Sequence, residues 1–147
     1  MIVKIFKGVW FFSLLVTMAV LMYIYASLPE SIQVTQSIEI PRNGVFYAAL
    51  ALLAVFNASV FIMSRLLAGK SEFFLAWFYG LVIFLHLFII VALQFLNLYN
   101  GNEKFNYESI GFIIYGSIAM VVLWSSLWPA YYLLQKFTSK GTTEVLH

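Results

Sequence analysis

The sequence predicts an all-α membrane protein: four transmembrane helices in an antiparallel bundle, with both termini cytoplasmic. Three observations predict it. Of 147 residues, 63% are hydrophobic and only 10% are charged, against roughly a quarter charged in soluble domains. The apolar residues collect in four runs near the roughly 20 residues a helix needs to cross hydrocarbon. No Asp, Glu, Lys or Arg falls inside any of them. A soluble chain of this size has too little interior to hide so much apolar surface. A β-barrel would alternate polar and apolar residues in shorter segments, and these runs do not.

The runs cover about residues 9–26, 45–64, 73–96 and 110–134 of a single membrane domain, 1–147. The first has the basic start of a signal peptide (Lys4, Lys7) and a small-residue "YAS" near its end. Its apolar stretch is longer than the usual 7–15 residues of a signal core and is loaded with aromatics. It is therefore expected to be a true span. The second and third runs are joined by the short link "RLLAGKSE", which predicts an antiparallel hairpin of helices. "NLYNGNEKFNYE" joins the third to the fourth. Within the fourth run Pro129 follows "WSSLW" and is expected to kink the helix about one turn from its end. Ser125, four residues earlier, is placed to help satisfy a freed backbone group.

The longest polar piece is the outer loop, residues 27–44. Between Pro29 and Pro41, "SIQVTQSIEI" alternates polar and apolar residues, the period of a strand. A lone strand is not stable by itself. The expectation is an extended loop on the outer surface, with pairing to another protein as the alternative.

Direction across the membrane follows from Lys and Arg, which cytoplasmic segments hold in excess. An inside N-terminus puts Lys4, Lys7, Arg65, Lys70, Lys136 and Lys140 inside, and Arg42 and Lys104 outside, six against two. Aromatic belts agree. Trp10, Trp77 and Trp128 fall near inner ends, and Tyr23, Tyr25, Tyr47 and Tyr99 near outer ends.

Inside the spans one side chain can carry a charge near neutral pH: His86, in "LVIFLHLFII". Ionisable groups at that depth are costly and raise the question of function. A neutral imidazole is far cheaper there than an imidazolium. The preferred reading is a hydrogen bond that fixes helix register, worth about 0.6–2 kcal/mol. Haem ligation is a second reading, since haem often takes an axial His, but the other His, His147, lies in the tail. A quinone or proton-path contact is a third, without the chain of acids or histidines a relay shows. By depth along the helices, Asn57 in the second run is a candidate partner, roughly 7 Å off axially at 1.5 Å per residue. Ser117 in the fourth run is another. Asn57 reads as interhelical glue.

Small residues mark where helices can approach. Ala54 and Ala58 give the second run one smooth face, and Gly111 and Gly116 do so in the fourth. Packing inside the bundle is the first expectation for both, and docking of a partner helix the second.

Much chemistry is missing from the sequence. There is no cysteine, phosphate loop, dinucleotide glycine pattern or HExxH. Ser13, Ser59, Ser117, Ser125 and Ser126 have no base beside them in the sequence, so no serine nucleophile is expected. No metal site is expected. The net charge of +2 is unclustered, which argues against nucleic acid.

"LPESIQV", Leu28 to Val34, resembles the start of the juxtamembrane motif Leu-Pro-x-x-Ile-Pro-x-His of small bacterial multi-span proteins, some of them linked to toxin immunity. Leu28, Pro29, Glu30 and Ile32 match. Gln33 replaces the second proline and Thr35 the histidine, so the resemblance implies no site residue here. The whole chain is similar to small four-span inner-membrane proteins of Gram-negative bacteria, which implies a bacterial plasma membrane. The function expected is a non-catalytic accessory subunit of a larger inner-membrane complex, such as a respiratory one. It would have no cofactor of its own, and other membrane subunits and phospholipid as partners. The alternatives are a haem- or quinone-contacting subunit working through His86, and a stand-alone carrier or immunity-like protein.

Overall fold

A computed structural model describes residues 2–35, 37–67, 71–101 and 107–143. Of the residues that set the expected orientation, Lys70 and Lys104 lie outside the described residues, as does His147.

Among the described residues four helices form: α1 (Ile2–Ser27), α2 (Arg42–Leu66), α3 (Glu72–Tyr99) and α4 (Tyr107–Thr143). Each is long and apolar enough to cross a membrane. The helices overrun the predicted spans, because a helix has no reason to stop where hydrocarbon stops. α1 begins before Lys4, and α4 continues past Lys136. Ends are set by local chemistry. Ser71 caps α3 by accepting the Phe74 N–H at 3.2 Å, and Glu72 in the first turn complements the helix dipole. Pro41 precedes α2 in extended conformation with φ −63°, suited to a helix start.

α3 is the hub and packs against α1, α2 and α4. Ring contacts give the directions. Trp10 meets Phe61, and Tyr25 meets Phe46, so α1 and α2 run oppositely. Phe73 meets Tyr131, and Phe84 meets Trp124, so α3 and α4 do too. α4 leans mainly on α3. Its far side is bare, with Phe112 80% exposed. Such surface belongs in lipid or against another chain.

Between α1 and α2 the structure corrects the expectation of an unpaired loop. The alternating stretch folds back on itself as an antiparallel hairpin, β1 (Ser31–Thr35) and β2 (Ile38–Pro41). Ile32 lies opposite Ile40, and Gln33 opposite Glu39. The turn hides in the sequence because Gln36 and Ser37 carry none of the Gly or Asn-Gly signals of a tight hairpin. The pair alone would be marginal, but it is pinned at several points. Ile32 is fully buried beside Leu28. Asn100, at the end of α3, mimics a strand: its Oδ1 accepts the Gln33 N–H at 2.7 Å and its Nδ2 donates to the Gln33 carbonyl at 3.0 Å. Arg42 donates from its backbone to the Glu30 carbonyl and from Nη1 to the Leu28 carbonyl, and its guanidinium lies 4.8 Å over the Tyr25 ring. Asn100→Ala is expected to loosen the hairpin locally, costing about 1 kcal/mol. Faster hydrogen exchange at the Gln33 amide, with the helices unaffected, is the measurement.

The interior is layered. Near the hairpin, Leu21, Ile24, Leu28, Ile32, Leu53 and Ile89 form one apolar cluster. At the other end Trp10, Val60, Tyr79 and Val82 form a second. Trp10 was expected in an interfacial belt, yet it is 5% exposed, held between Phe61 and Tyr79. Between the clusters lies a thin polar layer.

Candidate functional site

The polar layer is where helix periodicity places it. Ser13 and Thr17 fall between Trp10 and Leu21 on the buried stripe of α1. His86 falls between Val82 and Ile89 on α3. Asn57 falls between Leu53 and Val60 on α2. His86 and Thr17 are fully buried, and Ser13 is 9% exposed.

His86 ties three helices. Its Nδ1 is 2.8 Å from Ser13 Oγ on α1. Its Nε2 is 3.3 Å from Asn57 Nδ2 on α2, so tilt closes the axial offset counted along the sequence. Proton arithmetic then fixes the tautomer. Ser13 Oγ spends its one proton on the Trp10 carbonyl at 2.8 Å, so the proton between Ser13 and His86 must come from Nδ1. Asn57 Nδ2 has two protons: one goes to the Leu53 carbonyl at 2.7 Å and the other to Nε2. The ring is thus a neutral imidazole with its proton on Nδ1. The Leu53 carbonyl also locks the Asn57 amide, because a flipped Oδ1 would face another acceptor.

One expectation is corrected here. Ser13 was read as having no base nearby, and an imidazole touches it. The proton runs the wrong way for nucleophile activation, however. Ser13 accepts from the imidazole and donates to a carbonyl, whereas an activated serine donates to its base. Thr17 extends the chain by donating to the Ser13 carbonyl at 2.7 Å. Among the described residues three buried side-chain atoms are left without a hydrogen bond: Asn57 Oδ1 in this layer, Trp10 Nε1 beside it and Arg42 Nε near the hairpin. An unsatisfied acceptor already charges Asn57 part of what its bonds contribute. Each change strips one partner from fully buried His86, but Asn57→Leu also removes the unsatisfied Oδ1 and the longer bond, 3.3 Å against 2.8 Å. It is therefore expected to cost under about 1 kcal/mol and less than Ser13→Ala. Thermal melts of the two variants in one detergent check the order.

The other residues singled out lie apart from His86. Ser117 does not reach it; its hydroxyl donates within α4 to the Ile114 carbonyl at 2.8 Å, because α4 sits on the far side of α3. Ser125 bonds the Val122 carbonyl at 2.9 Å and is not the reserve partner expected for the gap at Pro129. Pro129 lies inside α4, which continues past it. The smooth faces do not pack inside the bundle. Ala54 and Ala58 are exposed on α2. A Cβ built at Gly116 meets nothing within 4 Å, and one at Gly111 meets only Tyr115 of its own helix.

A second junction was missed in the sequence. Trp77 Nε1 donates to the Trp124 carbonyl at 2.8 Å, and Trp124 Nε1 donates to the Trp77 carbonyl at 2.9 Å. This reciprocal clasp joins α3 to α4, and the Trp124 ring lies against Gly80. Among the described glycines, Gly80 is the one where two helices approach this closely. Its sequence signal was faint: one glycine after "AWFY" in a run otherwise free of glycine.

Among the described residues no three His, Cys, Asp or Glu side chains gather as a metal group would require. No protein-family model, curated protein or solved structure matches this chain.

Proposed function

We propose that the chain is a non-catalytic accessory subunit of a larger bacterial inner-membrane assembly, packing against partner helices and phospholipid with both termini cytoplasmic. One observation carries this reading: His86, the sole acid–base group of the spans near neutral pH, has both ring nitrogens engaged by Ser13 and Asn57. In this arrangement neither nitrogen is offered to a haem iron or a quinone oxygen. The imidazole acts as a register pin for α1, α2 and α3. The outward alanines of α2 and the open glycines of α4 are where neighbouring helices would approach closely.

Affinity purification of the tagged chain in mild detergent, followed by mass spectrometry, tests the assembly. A stoichiometric set of co-purifying membrane subunits supports it. A chain that migrates alone contradicts it and favours the stand-alone alternative. The orientation has its own test, made clean by the absence of cysteine. Asn43→Cys is expected to react with an impermeant maleimide in intact spheroplasts, and Arg65→Cys only after lysis. The reverse pattern overturns the topology.

A further inference from the structure

We propose that the cleft between α1, α3 and α4 holds one phosphatidylethanolamine molecule, its acyl chain between the helices and its ammonium on Glu72. The cleft is a half-open groove of about 430 Å³, room for one acyl chain, with the rest of the lipid outside it. It opens where α1 and α3 begin. Val3 and Phe6 of α1 form one wall, Ala76 and Trp77 of α3 the floor, and Trp124 of α4 the other wall. Both indole N–H groups there are already spent on the reciprocal clasp. The walls therefore offer hydrocarbon and ring faces but no donor, which suits an acyl chain and no polar ligand.

Charge selects the headgroup. Among the described residues, Glu72 is the one charged side chain lining the cleft. It is exposed, in the first turn of α3. Lys4 and Lys7, beside Val3 and Phe6 in the first turns of α1, stand at the same end and suit a lipid phosphate, and the Glu72 carboxylate suits the cation beyond it. It accepts charge-assisted hydrogen bonds from a primary ammonium, and a quaternary choline has no N–H to give. Ethanolamine is the headgroup that meets both conditions. The inference rests on the chain spanning a membrane and is independent of protein partners, so failed co-purification and failed lipid selectivity are separate outcomes.

The test uses the full chain in phosphatidylcholine vesicles doped with brominated phosphatidylethanolamine, phosphatidylcholine or phosphatidylglycerol of identical chains. Bromine near Trp77 and Trp124 quenches their fluorescence. The ethanolamine lipid is expected to quench at about threefold lower mole fraction than the choline lipid, the scale of one exposed charge pair. Glu72→Gln should abolish that preference, and Glu72→Asp should keep most of it. Val3→Phe, which narrows the cleft, should weaken quenching by all three. Equal quenching by ethanolamine and choline lipids, a preference for the glycerol lipid, or a preference that survives Glu72→Gln overturns the proposal.

Discussion

Gly80→Ala is expected to force α4 off α3. The added methyl would run into Trp124 Cζ2 and lie 2.7 Å from Cε2, well inside van der Waals contact. The indole is poorly placed to yield. Its N–H is bound to the Trp77 carbonyl, its own carbonyl holds Trp77, and Phe6 and Phe84 lie against its ring. Relief therefore requires breaking the clasp or sliding a helix. Overpacking costs about 1–3 kcal/mol, and two interhelical hydrogen bonds within a membrane add about 0.6–2 kcal/mol each. A loss of at least about 2 kcal/mol follows, concentrated at one interface because α4 has little other support. Two measurements read it. Thermal unfolding in detergent should drop. Disulfide cross-linking between cysteines at Phe88 and Val121, which line one gap between α3 and α4, should weaken. Trimming the opposing ring with Trp124→Leu should make Gly80→Ala nearly harmless, a coupling expected only of residues in contact. Unchanged stability and cross-linking in Gly80→Ala would disprove the tight crossing.

His86→Leu is expected to cost about 1–3 kcal/mol while leaving the four helices formed. Leucine fills much of the space but bonds nothing. Ser13 loses its donor and one Asn57 N–H loses its acceptor, both in the layer between two apolar clusters. Stranding a buried polar group costs more than removing both partners together. The triple change His86→Leu, Ser13→Ala, Asn57→Leu should accordingly recover part of the loss. Loss of electron transfer in a purified assembly, with stability intact, would instead return His86 to the role of cofactor contact.

These two sites show what the sequence yields and what it withholds. Helix number follows from four long charge-free runs, since hydrocarbon demands length and apolarity together. The buried face of each helix does not follow. Lipid is as apolar as a core, so outward Phe112 and inward Ile89 look alike in sequence. For the same reason Ala54 and Ala58 suggested internal packing and proved to face outward. Polar residues were the better guide. His86 and Asn57 stood out against hydrocarbon and do meet. Ser13 and Thr17, four apart in "FFSLLVTMAV" and so on one face of α1, carry the same signal. The β1–β2 hairpin was half visible through its period of two, but its turn has no glycine and its anchor, Asn100, is 67 residues from Gln33. Gly80 shows its purpose only beside Trp124, on a different helix.

The claim at the centre is that His86 is a saturated structural pin. Nitrogen-15 NMR of the histidine-labelled chain in lipid tests it most directly, by locating the imidazole proton. The structure requires at neutral pH one neutral tautomer, protonated at Nδ1 with Nε2 accepting, and a ring signal perturbed by Ser13→Ala. A ring protonated at Nε2, or one averaging freely between tautomers, would show that Ser13 and Asn57 do not hold it.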